Sequence, residues 1–205
     1  MGKLLKYAFR ITHIDNIPHI VQCGLVRKDS SHRNEHFVSI GDRQIIHLRS
    51  KIIINEYQIS NYIPFYLGPR SPMLYVIQHG YNGVSRVEPE KIVYCVIRLD
   101  DLVNNDIDCI FTDGHVLSAL TLFYKKDKLP QINHFVKYDD VYSTQWNSEV
   151  DLDLKRRKEA ELLVKNDLPI RFIRGYVVYN EIAKLTLTKL GIDENKIIVM
   201  PSYYY

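Results

Sequence analysis

The stretch Ile92-Val93-Tyr94-Cys95-Val96-Ile97 carries no polar residue between its apolar ones. A run of this kind predicts a β-strand that is buried on both faces. Working outward from it, shorter apolar runs predict further strands at Tyr7 to Thr12, Leu74 to Ile77, Cys109 to Thr112, Gly175 to Tyr179 and Lys196 to Met200. Many short strands with few helices indicate an α+β fold rather than a doubly wound parallel sheet.

The sequence contains fewer helical patterns than strand patterns. The first predicted helix runs from Asn16 to Cys23, with Asp15 placed to cap it and Gly24 placed to end it. A second, amphipathic helix is predicted from Asn180 to Leu190, with Asn180 as its own cap. The run from Glu161 to Val164 fits either a strand or the start of a helix, because its period does not distinguish them.

The chain has 205 residues and a formal net charge of +3. This length, with no internal repeat or flexible linker, predicts a single domain over residues 1–205. Its three cysteines, Cys23, Cys95 and Cys109, are widely spaced, which favours reduced thiols over a disulfide framework or a cysteine-based zinc site. Without a long apolar run or a signal-peptide core, we expect a cytoplasmic protein that does not bind membranes.

Several catalytic motifs are missing from the sequence. The glycine-rich loops of dinucleotide-binding and P-loop proteins are absent, and so is the nucleophile motif of the α/β-hydrolases. His32-Arg33-Asn34-Glu35-His36 fits the inverted zinc-peptidase pattern H-x-x-E-H. That chemistry needs two histidines one helical turn apart, and the polar surroundings favour a solvated loop. We therefore expect no bound metal.

Three further segments leave two interpretations open. The segment Ser30 to Asn61 has little regular pattern, and long irregular segments are often functional. The proline- and aromatic-rich block Tyr62 to Leu74 either stacks a planar ligand or forms a rigid connection into the next strand. The four cations Lys155 to Lys158 form either a solvated helix face or a patch that contacts phosphates.

Five sequence blocks occur in one order along the chain: Ile11 to Pro18, Ile40 to Arg49, Tyr62 to Leu74, Phe111 to His115 and Arg156 to Glu161. Each is weak alone, but together they closely resemble the DarT family, toxins that ADP-ribosylate DNA. The resemblance is greatest to the branch that modifies thymidine in single-stranded DNA. It implies the ADP-ribosyltransferase fold, with two packed mixed or antiparallel sheets, flanking helices and a cleft for NAD.

The same resemblance implies roles for individual residues. Arg49 and Glu161 match the catalytic arginine and glutamate of the family, and His115 matches a histidine that lines the site before the substrate-presenting loop. The positions that match its NAD-binding residues are Thr12, His13, Ile14, Arg49, Tyr66 and Met73. Within this assignment, the basic run becomes a set of DNA-phosphate contacts from Lys155, Arg156 and Arg157, and the 15 tyrosines gain a use in stacking bases.

The chemistry of these residue types agrees with the resemblance. Breaking the bond between nicotinamide and ribose creates a positively charged, oxocarbenium-like ribose, which a carboxylate such as Glu161 stabilises. Arg49 can grip a pyrophosphate bidentately. Arginine is a poor base, so Arg49 is expected to steer the deprotonated base, and Glu161 is an alternative acceptor for its proton.

These expectations describe a mono-ADP-ribosyltransferase that moves ADP-ribose from NAD onto thymine in single-stranded DNA. It is expected to be the toxin of a toxin–antitoxin pair, opposed by a DarG-like macrodomain antitoxin that removes the mark. One alternative keeps the fold and changes the acceptor to guanosine or RNA. Another is a non-catalytic module that binds nucleic acid or a nucleotide.

Overall fold

A computed structural model describes residues 2–54 and 57–205 of the chain, so that Asn55 and Glu56, inside the irregular Ser30 to Asn61 segment, lie outside the described residues. The strands in chain order are β1 (Tyr7–His13), β2 (Ile53–Ile54), β3 (Tyr57–Gln58), β4 (Ile63–Tyr66), β5 (Ile92–Arg98), β6 (Cys109–Thr112), β7 (Phe123–Lys125), β8 (Glu161–Val164), β9 (Ile173–Val178) and β10 (Ile197–Val199). The helices are α1 (Ile17–Cys23), α2 (Arg43–Arg49), α3 (Pro72–His79), α4 (Leu99–Asn104), α5 (Tyr138–Val141), α6 (Leu154–Lys158) and α7 (Glu181–Lys189).

Eight of these strands form one mixed sheet in the order β10-β9-β5-β1-β4-β8-β6-β7. Neighbouring strands are antiparallel except β10 and β9, which are parallel. The predicted α+β class is confirmed, and so is the buried strand at Ile92 to Ile97, which lies in β5 between β9 and β1.

The expected division into two sheets differs from the structure, because the eight strands share one hydrogen-bonded order. The pairing of β1 with β4 is nevertheless reduced to one register position, Phe9 opposite Tyr66. This narrow junction divides the sheet into two four-stranded halves, β10-β9-β5-β1 and β4-β8-β6-β7. Both halves contribute to one hydrophobic core, with Ala8 and Cys95 from the first and Phe65 and Leu162 from the second.

The predicted strand at Leu74 to Ile77 is wrong, because these residues lie inside helix α3. The Ser71 hydroxyl accepts a hydrogen bond from the backbone N–H of Leu74 at 3.2 Å, and Pro72 occupies the first helical turn. Gly80 ends the helix in a left-handed conformation with φ 68°. Serine before proline is a helix-start signal that a four-residue apolar run cannot outweigh.

The predicted cap of the first helix, Asp15, is wrong. Helix α1 starts after Asn16 rather than after Asp15, and the Asn16 side chain makes no capping bond to it. Gly24 ends α1 as predicted. Helix α7 begins after Asn180 as predicted, with the Asn180 Oδ1 atom accepting from the N–H of Ala183 at 3.0 Å.

The undecided run from Glu161 to Val164 is the strand β8. Within residues 2–54 and 57–205, none of the helices has the length and apolar character needed to cross a bilayer.

Candidate active site

A recess of about 200 Å³ opens beside the junction of the two half-sheets. Five predicted site residues line it: Thr12, Arg49, Tyr66, Met73 and Glu161. They come from β1, α2, β4, α3 and β8, so this recess requires both halves of the sheet. The structure therefore brings together residues that are up to 149 positions apart in sequence, the separation of Thr12 and Glu161.

Glu161 is the first residue of β8 and pairs across the sheet with Tyr66. It is 2% exposed, although it is a carboxylate. Its backbone N–H donates to the Thr112 hydroxyl at 3.0 Å, and that hydroxyl donates to the carbonyl of Gly114 at 2.7 Å. Thr112, which was not among the predicted site residues, thus fixes the start of β8 against the Gly114 turn.

Arg49 is the last residue of α2, a short helix that begins at the capping side chain of Asp42. Its Nη1 atom lies 2.9 Å from both carboxylate oxygens of Glu161. Burial by itself lowers the pKa of Arg49, but the adjacent Glu161 carboxylate outweighs burial, so the pKa is raised and the guanidinium stays charged. The Nη2 atom of Arg49 is also buried and has no hydrogen-bond partner within the described ranges. It is a donor available to a ligand.

A wider cleft of about 660 Å³ adjoins the recess and shares Arg49 with it. Its lining carries several cations: Arg10, Arg27, Lys28, Arg33 and Arg49. The Arg27 Nε atom is buried and has no hydrogen-bond partner in the described part of the chain. A cleft of this size and charge suits a ligand that contains a pyrophosphate.

Part of the wall between the two cavities is the segment from Phe37 to Ser39. Buried Asn16 holds it, because its amide accepts from the Val38 N–H and donates to the Val38 carbonyl, each at 2.9 Å. The same amide group donates to the Thr12 hydroxyl at 3.0 Å. The side chain that was expected near the cap of α1 instead attaches the irregular segment to the end of β1.

Arg10 is a further functional candidate, which was not among the residues predicted from the sequence. It lies in β1, lines both cavities, and donates from Nη1 to the Pro64 carbonyl at 3.1 Å. Burial, assisted by the charge of Arg49, lowers its pKa. The signal for it was a cation inside an otherwise apolar strand run, between Phe9 and Ile11.

His13 is the last residue of β1 and Ile14 follows it, and the His13 side chain does not line the recess. The Nδ1 atom of His13 lies 3.2 Å from the Asp15 backbone nitrogen and 3.3 Å from the Asp15 carboxylate, and Nε2 takes part in neither contact. Ile14 is buried in the hydrophobic core, and its side chain is not part of the recess lining.

His115 lies close enough to Glu161 and Arg49 to be affected by both charges. Burial lowers its pKa, with the Glu161 carboxylate opposing and Arg49 reinforcing that shift, so the imidazole is neutral at pH 7. Its backbone N–H donates to the Arg156 carbonyl at 2.9 Å. At the preceding Gly114, a Cβ atom would come within 2.4 Å of the Arg156 guanidinium, so glycine permits this close approach.

The basic run occupies α6, but the structure does not present it as one DNA-binding patch. Arg156 bonds to Asp153 at 2.7 Å and to Asp113 at 3.0 Å. Arg157 bonds to Asp140 at 2.7 Å and to Asp151 at 2.5 Å. Carboxylates on neighbouring segments thus engage both side chains, a partnering that their sequence spacing could not reveal, and the phosphate contacts of Arg156 and Arg157 stay a prediction.

The remaining cations of the run differ from each other. Lys155 is exposed and keeps its role as a candidate phosphate contact. Lys158 is 1% exposed and donates from Nζ to the carbonyls of Pro69 and Val141 at 2.7 and 2.6 Å. Burial, with a smaller contribution from the charge of Arg70, lowers the pKa of Lys158 to about 7.

These contacts predict different results for two neighbouring substitutions. In Arg156→Gln, loss of the bonds to Asp113 and Asp153 lowers the free energy of unfolding by about 2 kcal/mol, and the salt dependence of DNA binding stays unchanged. In Lys155→Gln, stability is unchanged, and the slope of log K against log salt falls by about 0.7, the value for one single-strand phosphate. Urea denaturation and binding titrations at several salt concentrations measure both. A reduced slope in Arg156→Gln with unchanged stability contradicts the assignment.

His32 to His36 lie in turns rather than in a helix, so the two histidines are not one helical turn apart. Among residues 2–54 and 57–205, no group of three or more histidine, cysteine or acidic side chains is arranged to hold a metal ion.

Several known proteins are similar to this chain, and they identify its family. The family model described as "ssDNA thymidine ADP-ribosyltransferase, DarT" matches residues 9–205. The DNA ADP-ribosyl transferase of Escherichia coli O127:H6 is 31% identical over 192 residues, which cover 91% of this chain and 86% of that protein. A fusion protein of Thermosipho africanus, "DNA ADP-ribosyl transferase-DNA ADP-ribosyl glycohydrolase", is 27% identical over 94% of this chain and 47% of its own length.

Among solved structures, Thermus sp. 2.9 DarT in complex with ADP-ribosylated ssDNA superposes with a TM-score of 0.86 at 23% identity, covering 100% of this chain and 99% of that one. The same Thermus protein in complex with NAD+ gives a TM-score of 0.80 over 100% of both chains. These likenesses show the fold, and the family match and the E. coli relative show the membership. The chain therefore belongs to the DarT family of single-stranded DNA thymidine ADP-ribosyltransferases.

Proposed function

We propose that this chain transfers ADP-ribose from NAD to thymine in single-stranded DNA, with Arg49 and Glu161 as its catalytic residues. The observation that carries the proposal is the buried pair of Arg49 and Glu161 at the junction of the half-sheets. One guanidinium nitrogen binds the carboxylate, and the other has no partner among the described residues. Such an unsatisfied buried donor is expected where a ligand completes the site.

The residues around the pair fit NAD. The cations of the wider cleft, Arg10 and Arg27 among them, supply donors for the pyrophosphate. Thr12, Tyr66 and Met73 line the narrower recess and would hold the nicotinamide end near Glu161, with His13 and Ile14 next to Thr12 in the chain. When NAD is bound, it supplies the nicotinamide–ribose bond that breaks in the reaction. The residues of this chain orient that bond so that the ribose faces the Glu161 carboxylate.

Glu161 stabilises the positive charge that develops on the ribose as the nicotinamide leaves. The same carboxylate is placed to accept the proton that the thymine base loses when its bond to the ribose forms. Arg49 keeps its proton, since Glu161 raises its pKa, and so it steers the pyrophosphate or the deprotonated base rather than acting as a base. Neutral His115 can donate or accept a hydrogen bond to the acceptor base without adding a second positive charge.

The partners follow from the same assignment. Lys155 contacts a phosphate of the DNA strand, and an unstacked base in single-stranded DNA reaches the recess at low cost. We further propose that the chain acts as a toxin in the cytoplasm and that a macrodomain antitoxin removes its mark. The Thermosipho africanus relative, in which a transferase and a DNA ADP-ribosyl glycohydrolase are fused, supports an opposing enzyme of this kind.

Intact mass measurement of an oligonucleotide tests the proposed function. The full chain is incubated with NAD and an oligonucleotide that contains one thymine, and we expect the mass of one ADP-ribose to be added. A matched oligonucleotide with the thymine replaced should stay unmodified. Addition only to guanine-containing or RNA oligonucleotides would favour the alternative acceptor. No addition to any nucleic acid, with NAD still bound, would indicate a binding module.

A further inference from the structure

An aromatic patch lies on the surface outside the recess and comprises Tyr75, His79, Tyr81, Trp146 and Tyr205. The rings of His79 and Tyr81 stack with 5.4 Å between centroids and 12° between planes. Tyr75 continues the series, 4.1 Å from His79 and 5.7 Å from Trp146. His79 and Tyr81 are exposed, and Tyr81 keeps 49% of its surface accessible. The reaction described above uses none of these five side chains.

Hydrogen bonds hold the patch in place. The indole Nε1 of Trp146 donates to the Tyr205 hydroxyl at 2.8 Å, and that hydroxyl donates to the Arg70 carbonyl at 2.6 Å. The Arg70 guanidinium lies 4.2 Å from the centre of the Tyr205 ring. Because Arg70 belongs to the proline-rich block, these bonds join that block to the segment that carries Trp146. The rings of Trp146 and Tyr205 are therefore held in place before any ligand arrives.

Lys155 connects the patch to the active site. Its Nζ atom lies 5.4 Å from the centre of the Trp146 ring, and the carbonyl of the next residue, Arg156, accepts a hydrogen bond from the His115 N–H at 2.9 Å. Across the described ranges, Lys155 forms no ion pair with a carboxylate. Lys155 is therefore an exposed cation between His115 and the aromatic patch. Proteins that bind single-stranded nucleic acid combine cations, which contact the phosphates, with aromatic side chains, on which the bases stack.

We propose that the aromatic patch binds the bases that flank the target thymine, with Lys155 holding the phosphate between them. The inference rests on the proposed function, since the strand it describes is the acceptor of the reaction. Stacking tolerates any base, because every base has an aromatic face. The patch therefore adds affinity for a longer strand without fixing its sequence.

The only tryptophan of the chain lies in this patch, so its fluorescence reports on the patch alone. We expect a titration of the full chain, without NAD, with an eleven-nucleotide strand of adenines around one thymine to change Trp146 emission in a saturable way. Tyr81→Ala should weaken this binding about 5- to 150-fold, the range for losing one stacked base. Tyr7→Ala, which removes an exposed tyrosine at the start of β1, should not weaken it.

A second measurement uses catalysis. The wild-type chain should modify the eleven-nucleotide strand more efficiently than a trinucleotide with the same central thymine, through a lower KM. Tyr81→Ala and Trp146→Ala should remove this length preference and leave transfer to the trinucleotide intact. Unchanged Trp146 emission in the wild-type titration, or wild-type affinity in Tyr81→Ala, would overturn the inference. Wild-type protein that adds no mass to any strand would refute the proposed function instead, and the titration would still decide whether the patch binds DNA.

Discussion

Glu161→Gln is expected to reduce ADP-ribosyl transfer by about 10³-fold or more, equivalent to about 4 kcal/mol of transition-state stabilisation. The substitution keeps the shape of the side chain and removes the charge that faces the developing positive charge on the ribose. It also removes the carboxylate that pairs with Arg49 at 2.9 Å. NAD binding, followed by calorimetry, should change far less than turnover, because the loss falls on an interaction that is strongest in the transition state.

Glu159→Gln is the matched control for that experiment. Glu159 is also a carboxylate, two residues before Glu161, and burial raises its pKa to about 7. It neither lines the recess nor pairs with Arg49. The control should retain transfer within about threefold, the small change typical of a group outside the reacting atoms. Equal losses in the two variants, or more than a tenth of wild-type turnover in Glu161→Gln, would refute the role assigned to Glu161.

Gly68→Ala is expected to lower the free energy of unfolding by about 3 kcal/mol or more, at the upper end of the cost of overpacking. A Cβ at this position would lie 2.0 Å from the Val141 carbonyl oxygen and 2.6 Å from its carbonyl carbon. These are backbone atoms, so they cannot move aside as a flexible side chain does. The shift would also disturb Lys158, whose ammonium joins the carbonyls of Pro69 and Val141.

Urea denaturation of Gly68→Ala and Gly41→Ala compares a crowded glycine with an open one. At Gly41 a Cβ would meet the end of the Ile46 side chain at 3.4 Å, an ordinary contact. Its substitution should change stability by less than about 1 kcal/mol, as at most sites without a crowded neighbour. Similar midpoints for the two variants would show that the backbone around Val141 yields more easily than the structure implies.

The sequence predicted most of the strands because burial on both faces leaves a local signal, as in the Ile92 to Ile97 run. It failed at Leu74 to Ile77, where the capping signal of Ser71 and Pro72 outweighed an apolar run too short to show a period. For the site, the resemblance led to residues that the fold does bring together: Thr12, Arg49, Tyr66, Met73 and Glu161.

Side chains whose hydrogen-bond partners are far away in sequence could not be identified from a sequence pattern. The Thr112 hydroxyl binds the backbone of Glu161, 49 positions away, and Asn16 binds Val38, 22 positions away. A basic run such as that of α6 looks the same in sequence whether its arginines face phosphates or half-buried carboxylates. Asp113 is the partner that changes the interpretation of Arg156, and it is 43 residues away.

The narrow junction between the half-sheets, where Phe9 alone pairs with Tyr66, has a consequence for how activity appears during folding. Thr12 belongs to one half and Glu161 to the other, so neither half contains a working recess. The strand that starts at Glu161 must insert between β4 and β6, a late event because it closes long loops in the chain. A chain in which β8 has not yet paired with β4 and β6 therefore lacks the complete recess, and we expect transferase activity to appear only after these strands have paired.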